Sequence, residues 1–325
     1  MANCRTWGID KRHCMMRFGI EKERILYEDS ELLAYHKPAG LAVQSARMDV
    51  PDLESLLLTY QVEQDPSGPK PYLAVINRLD QPVEGIVLFA KNKKAAAALT
   101  AQLNDGRMQK QYLALCCMPV KQEEARAAKH GRAQEHSDSV QSLQESLPVR
   151  IEHYLKKDAR TNTSAVVTKG TPGAKQALLE LTQVTAWSSH LSLARIHLIT
   201  GRHHQIRVQM AAVNMPLLGD RKYNPDWEKY VDEYFGQKKI VDEYLGQRKN
   251  LDEYLDQKKI VDEYLGQRRN LDEHVAQRKD RFPGQTNESR NVPLCLCAYS
   301  LDFLHPRTKR KIHLEATPEF VGRFS

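Results

Sequence analysis

Residues 77–90 read Asn77-Arg78-Leu79-Asp80-Gln81-Pro82-Val83-Glu84-Gly85-Ile86-Val87-Leu88-Phe89-Ala90. The first half is polar and carries a proline, so it turns. The second half is an unbroken apolar run, too short for an ordinary helix and rich in branched and aromatic side chains, so it reads as a buried strand. An acid, Asp80, therefore sits in a turn just before a strand that runs through the core.

Working outward, Asn92 has the side chain to cap a helix that runs to about Leu103 and closes on Asn104-Asp105-Gly106. Upstream, Ile25–Tyr27 and Leu32–His36 read as strands around an Asp29-Ser30 turn, followed by a break at Lys37-Pro38-Ala39-Gly40-Leu41. Downstream, Gln111–Cys117 is a strand, and Ala177–Ala186 with Leu191–Leu198 form a hairpin across Trp187-Ser188-Ser189-His190. Thr200-Gly201-Arg202 leads into a helix over Gln205–Val213, where Ile206, Met210 and Val213 share a face. A last hairpin joins Leu294–Phe303 to Lys311–Ala316 through His305-Pro306. Strands outnumber helices and are mostly hairpin-linked. The expected class is α+β, a mixed and mostly antiparallel sheet flanked by helices and loops.

The chain has 325 residues, enough for a full core without disulfide or metal staples. Its six cysteines form no CxxC pair, and no run is long and apolar enough to span a bilayer, so a soluble, cytoplasmic protein is expected. Residues 1–22 form a tail with several cations and no apolar stretch of the signal-peptide kind, and translation is expected to start at Met15 or Met16. Residues 119–147 are polar and nearly free of bulky apolar side chains, and they read as a mobile surface excursion.

The net charge is +7, yet residues 226–280 hold 11 Lys/Arg against 14 Asp/Glu, so the remainder is more basic than the whole. Such a body suits a polyanionic partner, nucleic acid first. Residues 231–280 are five tandem decads, from VDEYFGQKKI to LDEHVAQRKD. Helix formers dominate them, while Gly236, Gly246 and Gly266 each cost ~1 kcal/mol in a helix interior. The reading is a helical insertion over 226–282, bent at the glycines. It divides a catalytic domain made of 23–224 and 291–325. Nothing in the sequence names a protein partner for it.

Three segments carry the chemistry: Asn77 to Gly85, Lys110-Gln111-Tyr112-Leu113-Ala114, and Thr200-Gly201-Arg202-His203-His204-Gln205-Ile206-Arg207. In this order and spacing, together with Tyr27-Glu28-Asp29, His36-Lys37-Pro38-Ala39-Gly40, Pro216-Leu217-Leu218-Gly219-Asp220 and Leu296-Cys297-Ala298-Tyr299 with His305-Pro306, the chain resembles the RluA-type RNA pseudouridine synthases. It departs from that pattern at Asn77, where the family has His, and at Val83-Glu84, where it has a small polar pair. The S4 RNA-binding module that often precedes the catalytic region is expected to be missing.

The resemblance implies the pseudouridine synthase fold and isomerisation of uridine in rRNA or tRNA. The N1–C1′ bond breaks, the uracil turns, and C5 joins C1′. Asp80 would be the catalytic acid residue, its carboxylate serving as nucleophile or as base at the sugar. Tyr112 would pack against the base and its hydroxyl assist loss of the C5 proton. Arg207 would grip Asp80 through a two-bond fork. Lys37, Arg78, Arg202, His203 and Gln205 are the candidate RNA contacts. His203, His204 and His197 lack a carboxylate at ligand spacing, so no metal is expected, and the reaction needs no cofactor. Membrane and DNA have no part in this reading. The competing reading is an RNA-binding protein or RNA chaperone that keeps the fold without activity.

Overall fold

The computed structural model describes residues 20–45, 50–118, 146–236, 238 and 292–321. The candidate translation start, residues 119–145 of the 119–147 excursion and the decads beyond residue 238 lie outside them.

The apolar run behaves as its composition demands: β4 (Glu84–Ala90) is buried at every residue. Successive side chains of a strand point to opposite faces. Val87 and Phe89 enter one apolar cluster, with Leu33, Tyr35, Leu53, Leu57, Ile206 and Met210. Ile86 and Leu88 enter another, with Leu32, Ala34, Ala95, Leu99 and Phe303. Covered faces on both sides explain why the run has no polar alternation.

Around β4, one eleven-stranded sheet gathers β1 (Ile25–Glu28), β2 (Leu32–Lys37), β3 (Ala74–Val75), β5 (Gln109–Cys117), β6 (Val149–Asp158), β7 (Thr163–Val167), β8 (Lys175–Ala186), β9 (Leu191–Leu198), β10 (Leu296–Leu304) and β11 (Lys311–Glu315). The path is β1-β2-β4-β10-β5-β9-β8-β6-β7, with β3 beside β4 and β11 beside β10. Among the described residues, only β4 and β10 pair in parallel. The helices α1 (Leu53–Gln64), α2 (Lys93–Asn104) and α3 (Gln205–Ala212) accompany the sheet. The α+β expectation stands. Asn92 caps α2 as expected, its side chain accepting from Ala95 N–H at 2.9 Å.

Besides the two-residue β3, the sequence reading misses α1 and the β6–β7 hairpin. Asp52 caps α1 by accepting from Ser55 N–H, a signal that was there to read. The β6–β7 hairpin is heavily charged along its far half, so its period-2 pattern, carried by Ile151 and Leu155, is faint.

A single row of paired residues crosses the sheet and fixes the site. Lys37 opposes Gly85, Gly85 opposes Ala298, Ala298 opposes Tyr112, and Tyr112 opposes Ile196. Gly85 has φ +128, and a Cβ there would lie 2.4 Å from the backbone N and O of Ala298. Only glycine fits. The strand after the insertion thus inserts between the Asp80 turn and Tyr112.

The start of the insertion is not separate from this body. Trp227, Val231 and Tyr234 are buried in a cluster with Leu113, Trp187 and Phe320, and residues 231–236 are helical. The Tyr234 hydroxyl donates to the Phe320 carbonyl at 3.1 Å, and Lys238 Nζ donates to that of Glu319 at 2.8 Å. The shift in composition at residue 226 therefore precedes the end of the packed body. Among the described residues, no helix is long and apolar enough to cross a membrane.

Candidate active site

The Asp80 turn is laced in place from several sides. Asn77 is buried and works as an extra rung of β4: its Nδ2 donates to the Ile86 carbonyl at 2.9 Å, and its Oδ1 accepts from Leu88 N–H at 2.8 Å. The turn closes with Val83 N–H on the Asp80 carbonyl. Gly40 and Gln81 then exchange two bonds, Gly40 N–H to the Gln81 carbonyl and Gln81 Nε2 to the Gly40 carbonyl.

Lys37 completes this lacing, and here the sequence expectation needs correcting. It is fully buried, with Nζ donating to the carbonyls of Pro38, Leu41 and Gln81 at 3.0, 2.8 and 3.1 Å. A lysine with all three donors spent on backbone has none for RNA phosphate. Burial pushes its pKa down to about 7, against the raising influence of Glu84, Asp80 and Cys297. Gln205 is corrected likewise. Its Oε1 accepts from Thr200 and from Arg202 N–H, and its Nε2 donates to the Leu178 carbonyl, so it locks the entry to α3 instead of facing RNA.

Asp80 itself is partly open, its side chain 30% exposed. Arg207, on the first turn of α3, donates from Nη1 to Asp80 Oδ2 at 3.4 Å. Its fork goes elsewhere. Nε and Nη2 donate to the two oxygens of fully buried Asp220 at 2.8 and 2.7 Å. The expected two-bond grip on Asp80 is thus a two-bond grip on Asp220 with one remaining amino group turned to Asp80. Asp220 also accepts from the backbone N–H of Lys222 and Tyr223. Burial works against the guanidinium charge, but the hydrogen bonds and charge of Asp220, then the charge of Asp80, raise the Arg207 pKa.

His204 is the second neighbour of Asp80, with Nε2 3.4 Å from the same Oδ2. It stacks on His203, ring centroids 3.8 Å apart, and its Nδ1 lies 2.7 Å from the Tyr223 hydroxyl. Tyr112, on β5, is buried but borders the cleft. Burial and then the Asp80 charge push its phenol pKa up, so the group facing the cleft is a neutral hydroxyl and not a phenolate base.

Above these residues lies a cleft of about 680 Å³ whose lining includes Arg78, Asp80, Lys110, Tyr112, Arg202 and Arg207. Arg78 and Arg202 are exposed, as an RNA contact requires, and Arg202 Nε donates to the Gln176 carbonyl. His203 is tied to Ser164 and Asn162 at the edge. Lys110, on β5, also lines the cleft, a place its sequence motif does not announce. Burial lowers its pKa and no acid pairs with it among the described residues, which leaves a cation for an incoming anion. Away from the cleft, His36, Glu84 and Cys297 bring metal-ligating atoms within 4.8 Å of one another. Glu84 is already held by His36 Nε2 at 2.8 Å and by Glu319 N–H, so this group ties β2 and β4 to the C-terminal segment.

The mixed sheet thus presents one partly open carboxylate, met by an arginine amino group, on the floor of a cleft lined by several cations. The chain belongs to the RNA pseudouridylate synthase family, whose model matches residues 31–212. It is 28% identical over 205 residues to a ribosomal large subunit pseudouridine synthase C of Buchnera aphidicola, covering 63% of this chain and 55% of that protein. It is also 28% identical over 199 residues to a dual-specificity RNA pseudouridine synthase RluA of Vibrio vulnificus, covering 61% and 68%. An uncharacterized RNA pseudouridine synthase of Helicobacter pylori is 26% identical over 202 residues, 61% of this chain and 54% of that one. The chain spans about half the length of several curated relatives it matches. Among solved structures, the human RNA pseudouridylate synthase domain containing 4 shares the fold at a TM-score of 0.56 and 17% identity, covering 92% of this chain and 90% of that one.

Proposed function

We propose that the chain isomerises uridine to pseudouridine in structured RNA, with Asp80 acting at the sugar of a base turned out of its stack. One observation carries this reading. Both groups that approach Asp80, Arg207 Nη1 and His204 Nε2, meet Oδ2, and among the described residues nothing occupies Oδ1, so one carboxylate oxygen is anchored and the other is available to substrate. A carboxylate held in this way can act at the sugar while uracil is detached. The C5 carbon gives up its proton on joining C1′ and N1 takes one up, so the product is an isomer and no redox partner is required. Tyr112 offers the uracil a flat apolar face, and its neutral hydroxyl a hydrogen bond.

Turning the base out costs a few kcal/mol, which contacts to phosphate must offset. Arg78, Lys110 and Arg202 are the cations suited to it, supported by their position on the cleft. Ribosomal RNA is the first substrate to test, because the name of the Buchnera relative specifies the large ribosomal subunit. The test is pseudouridine mapping of total RNA from cells with and without the gene, complemented by Asp80→Asn. The variant should form no pseudouridine at the sites restored by wild type, while its RNA affinity stays within about threefold, since phosphate contacts dominate binding. Turnover within about tenfold of wild type would remove Asp80 from the chemistry.

A further inference from the structure

Asp80, Arg207 and Tyr112 do not exhaust the polar groups at the floor of the cleft. Ser164 N–H donates to the Tyr223 hydroxyl oxygen at 2.8 Å, that hydroxyl lies 2.7 Å from His204 Nδ1, and His204 Nε2 lies 3.4 Å from Asp80 Oδ2. Two hydrogen bonds and one 3.4 Å contact, not itself aligned as a hydrogen bond, lead from β7 to the carboxylate. The backbone at His204 is left-handed, φ 54, immediately before α3. A non-glycine residue there costs on the order of 1 kcal/mol, and such strain gathers where a side chain must be aimed.

The links fix one direction of donation. Tyr223 has a single hydroxyl proton, and its oxygen already accepts from Ser164 N–H. Asp80 Oδ2 can only accept. A neutral imidazole between them satisfies both neighbours in one tautomer, with Nδ1 accepting the Tyr223 proton and Nε2–H pointing at Asp80. The other tautomer would set a lone pair against the carboxylate. Burial, then the charges of Arg207, His203, Lys222 and Lys157, hold the His204 pKa at about 3, so the ring is uncharged in neutral solution. Tyr223 belongs to the assembly that also sets Arg207: its backbone N–H donates to Asp220, and the Arg207 guanidinium lies 5.1 Å from its ring centroid.

We propose that His204 is a positioning residue for Asp80, fixed by the Tyr223 hydroxyl so that its Nε2–H joins Arg207 Nη1 in a two-donor grip on Oδ2 that leaves Oδ1 to meet the sugar. This rests on the isomerase reading given above. At 3.4 Å the Arg207 bond is long and the His204 contact is not yet a hydrogen bond, so the grip requires both donors to close on Oδ2 in the substrate complex, as catalytic hydrogen bonds often do.

Two measurements on the full chain test it. The first is the single-turnover rate on [5-³H]uridine-labelled total RNA from cells lacking the gene, read as released tritium, beside RNA affinity and melting temperature. Tyr223→Phe should slow the rate about tenfold and His204→Leu about a hundredfold, with affinity within about twofold and the melting temperature held. His204→Gln, whose amide N–H can stand near the Nε2 position, should recover part of the loss. Rates within twofold of wild type in both variants overturn the proposal. So does a loss that Gln fails to rescue and that follows affinity or melting temperature.

The second measurement needs no activity. ¹⁵N-histidine spectra at pH 7, assigned through the resonance missing in His204→Gln, should show Nε2 protonated and Nδ1 unprotonated. Tyr223→Phe should move the Nδ1 resonance, because that nitrogen loses its donor, while Asp80 still favours the Nε2–H tautomer. A ring protonated on Nδ1 in the wild type overturns the proposal. An inactive wild type with the Nε2–H tautomer would count against the isomerase reading and still support the His204 geometry.

Discussion

Arg207 shows how a residue can be found in the sequence while its partner is misassigned. Its motif marked a cation for Asp80, but sequence spacing cannot say which of two carboxylates receives the fork. Asp220 wins because it is fully buried, and a buried carboxylate needs paired hydrogen bonds far more than a partly open one does. Arg207→Lys should therefore lose fold stability as well as rate. Lysine has no fork for Asp220, and breaking a buried pair costs about 3–5 kcal/mol. Thermal melting checks this: an unchanged melting temperature would mean that Asp220 is satisfied without the fork. His204 gives a second prediction at this scale. Its folded pKa of about 3 lies below the unfolded value of 6.5, so below pH 6.5 the unfolded chain binds a proton that the fold does not. Stability from this group is complete above 6.5 and is lost as pH falls toward 3, by up to about 1.4 kcal/mol per pH unit. Denaturant unfolding between pH 7 and 4 should show the decline, and His204→Gln should flatten it.

At the scale of elements, the β4 run was legible because burial on both faces leaves a plain apolar string, and α2 because Asn92 advertises its cap. The β1–β2, β8–β9 and β10–β11 hairpins were legible from alternation and turns, and the β6–β7 hairpin was not. What could not be read is the order in which strands meet. The long-range pairing of β10 between β4 and β5 depends on residues more than 180 positions apart, and no local periodicity encodes it. Gly85 is the residue that permits it. Gly85→Ala should be severely destabilising, by about 2 kcal/mol or more, since its Cβ would meet the Ala298 backbone and φ +128 excludes an L side chain. The same change should depress the rate beyond the stability loss, because Tyr112 and the Asp80 turn are aligned through Ala298. Chemical denaturation beside single-turnover kinetics separates the two effects. Sequence likewise could not tell that Lys37 and Gln205 face inward: both are polar residues beside the chemistry, and only packing decides that their donors go to carbonyls.

At the scale of the whole molecule, β10 and β11 follow a long acidic-leaning repeat, and packing decides where the described body ends. Composition changes at residue 226, but packing does not. Trp227, Val231 and Tyr234 share a cluster with Val292, Phe320 and Val321, so residues on both sides of 239–291 meet on one patch of core. His190 N–H donates to Glu233 Oε1 at 2.7 Å on the same side. Excising 239–290 and joining Lys238 to Asn291 through a Gly/Ser linker of about twenty residues should leave a folded protein, because loop-closure entropy changes by only ~0.6 kcal/mol per doubling of length. Cutting instead from Pro225 to Asn291 removes Trp227, Val231 and Tyr234 from the cluster. Large apolar side chains lost from a core cost about 2–5 kcal/mol each, so this deletion should melt far lower or fail to fold. The pair of deletions also bears on RNA. The local charge of the repeat is negative, which opposes a main part in holding phosphate. Turnover of the shorter deletion on cellular RNA should therefore stay within about threefold of wild type, the scale of a loop-closure change. A large fall in kcat/KM on full-length RNA, with activity kept on a short stem-loop, would instead make the decads a docking arm for the substrate.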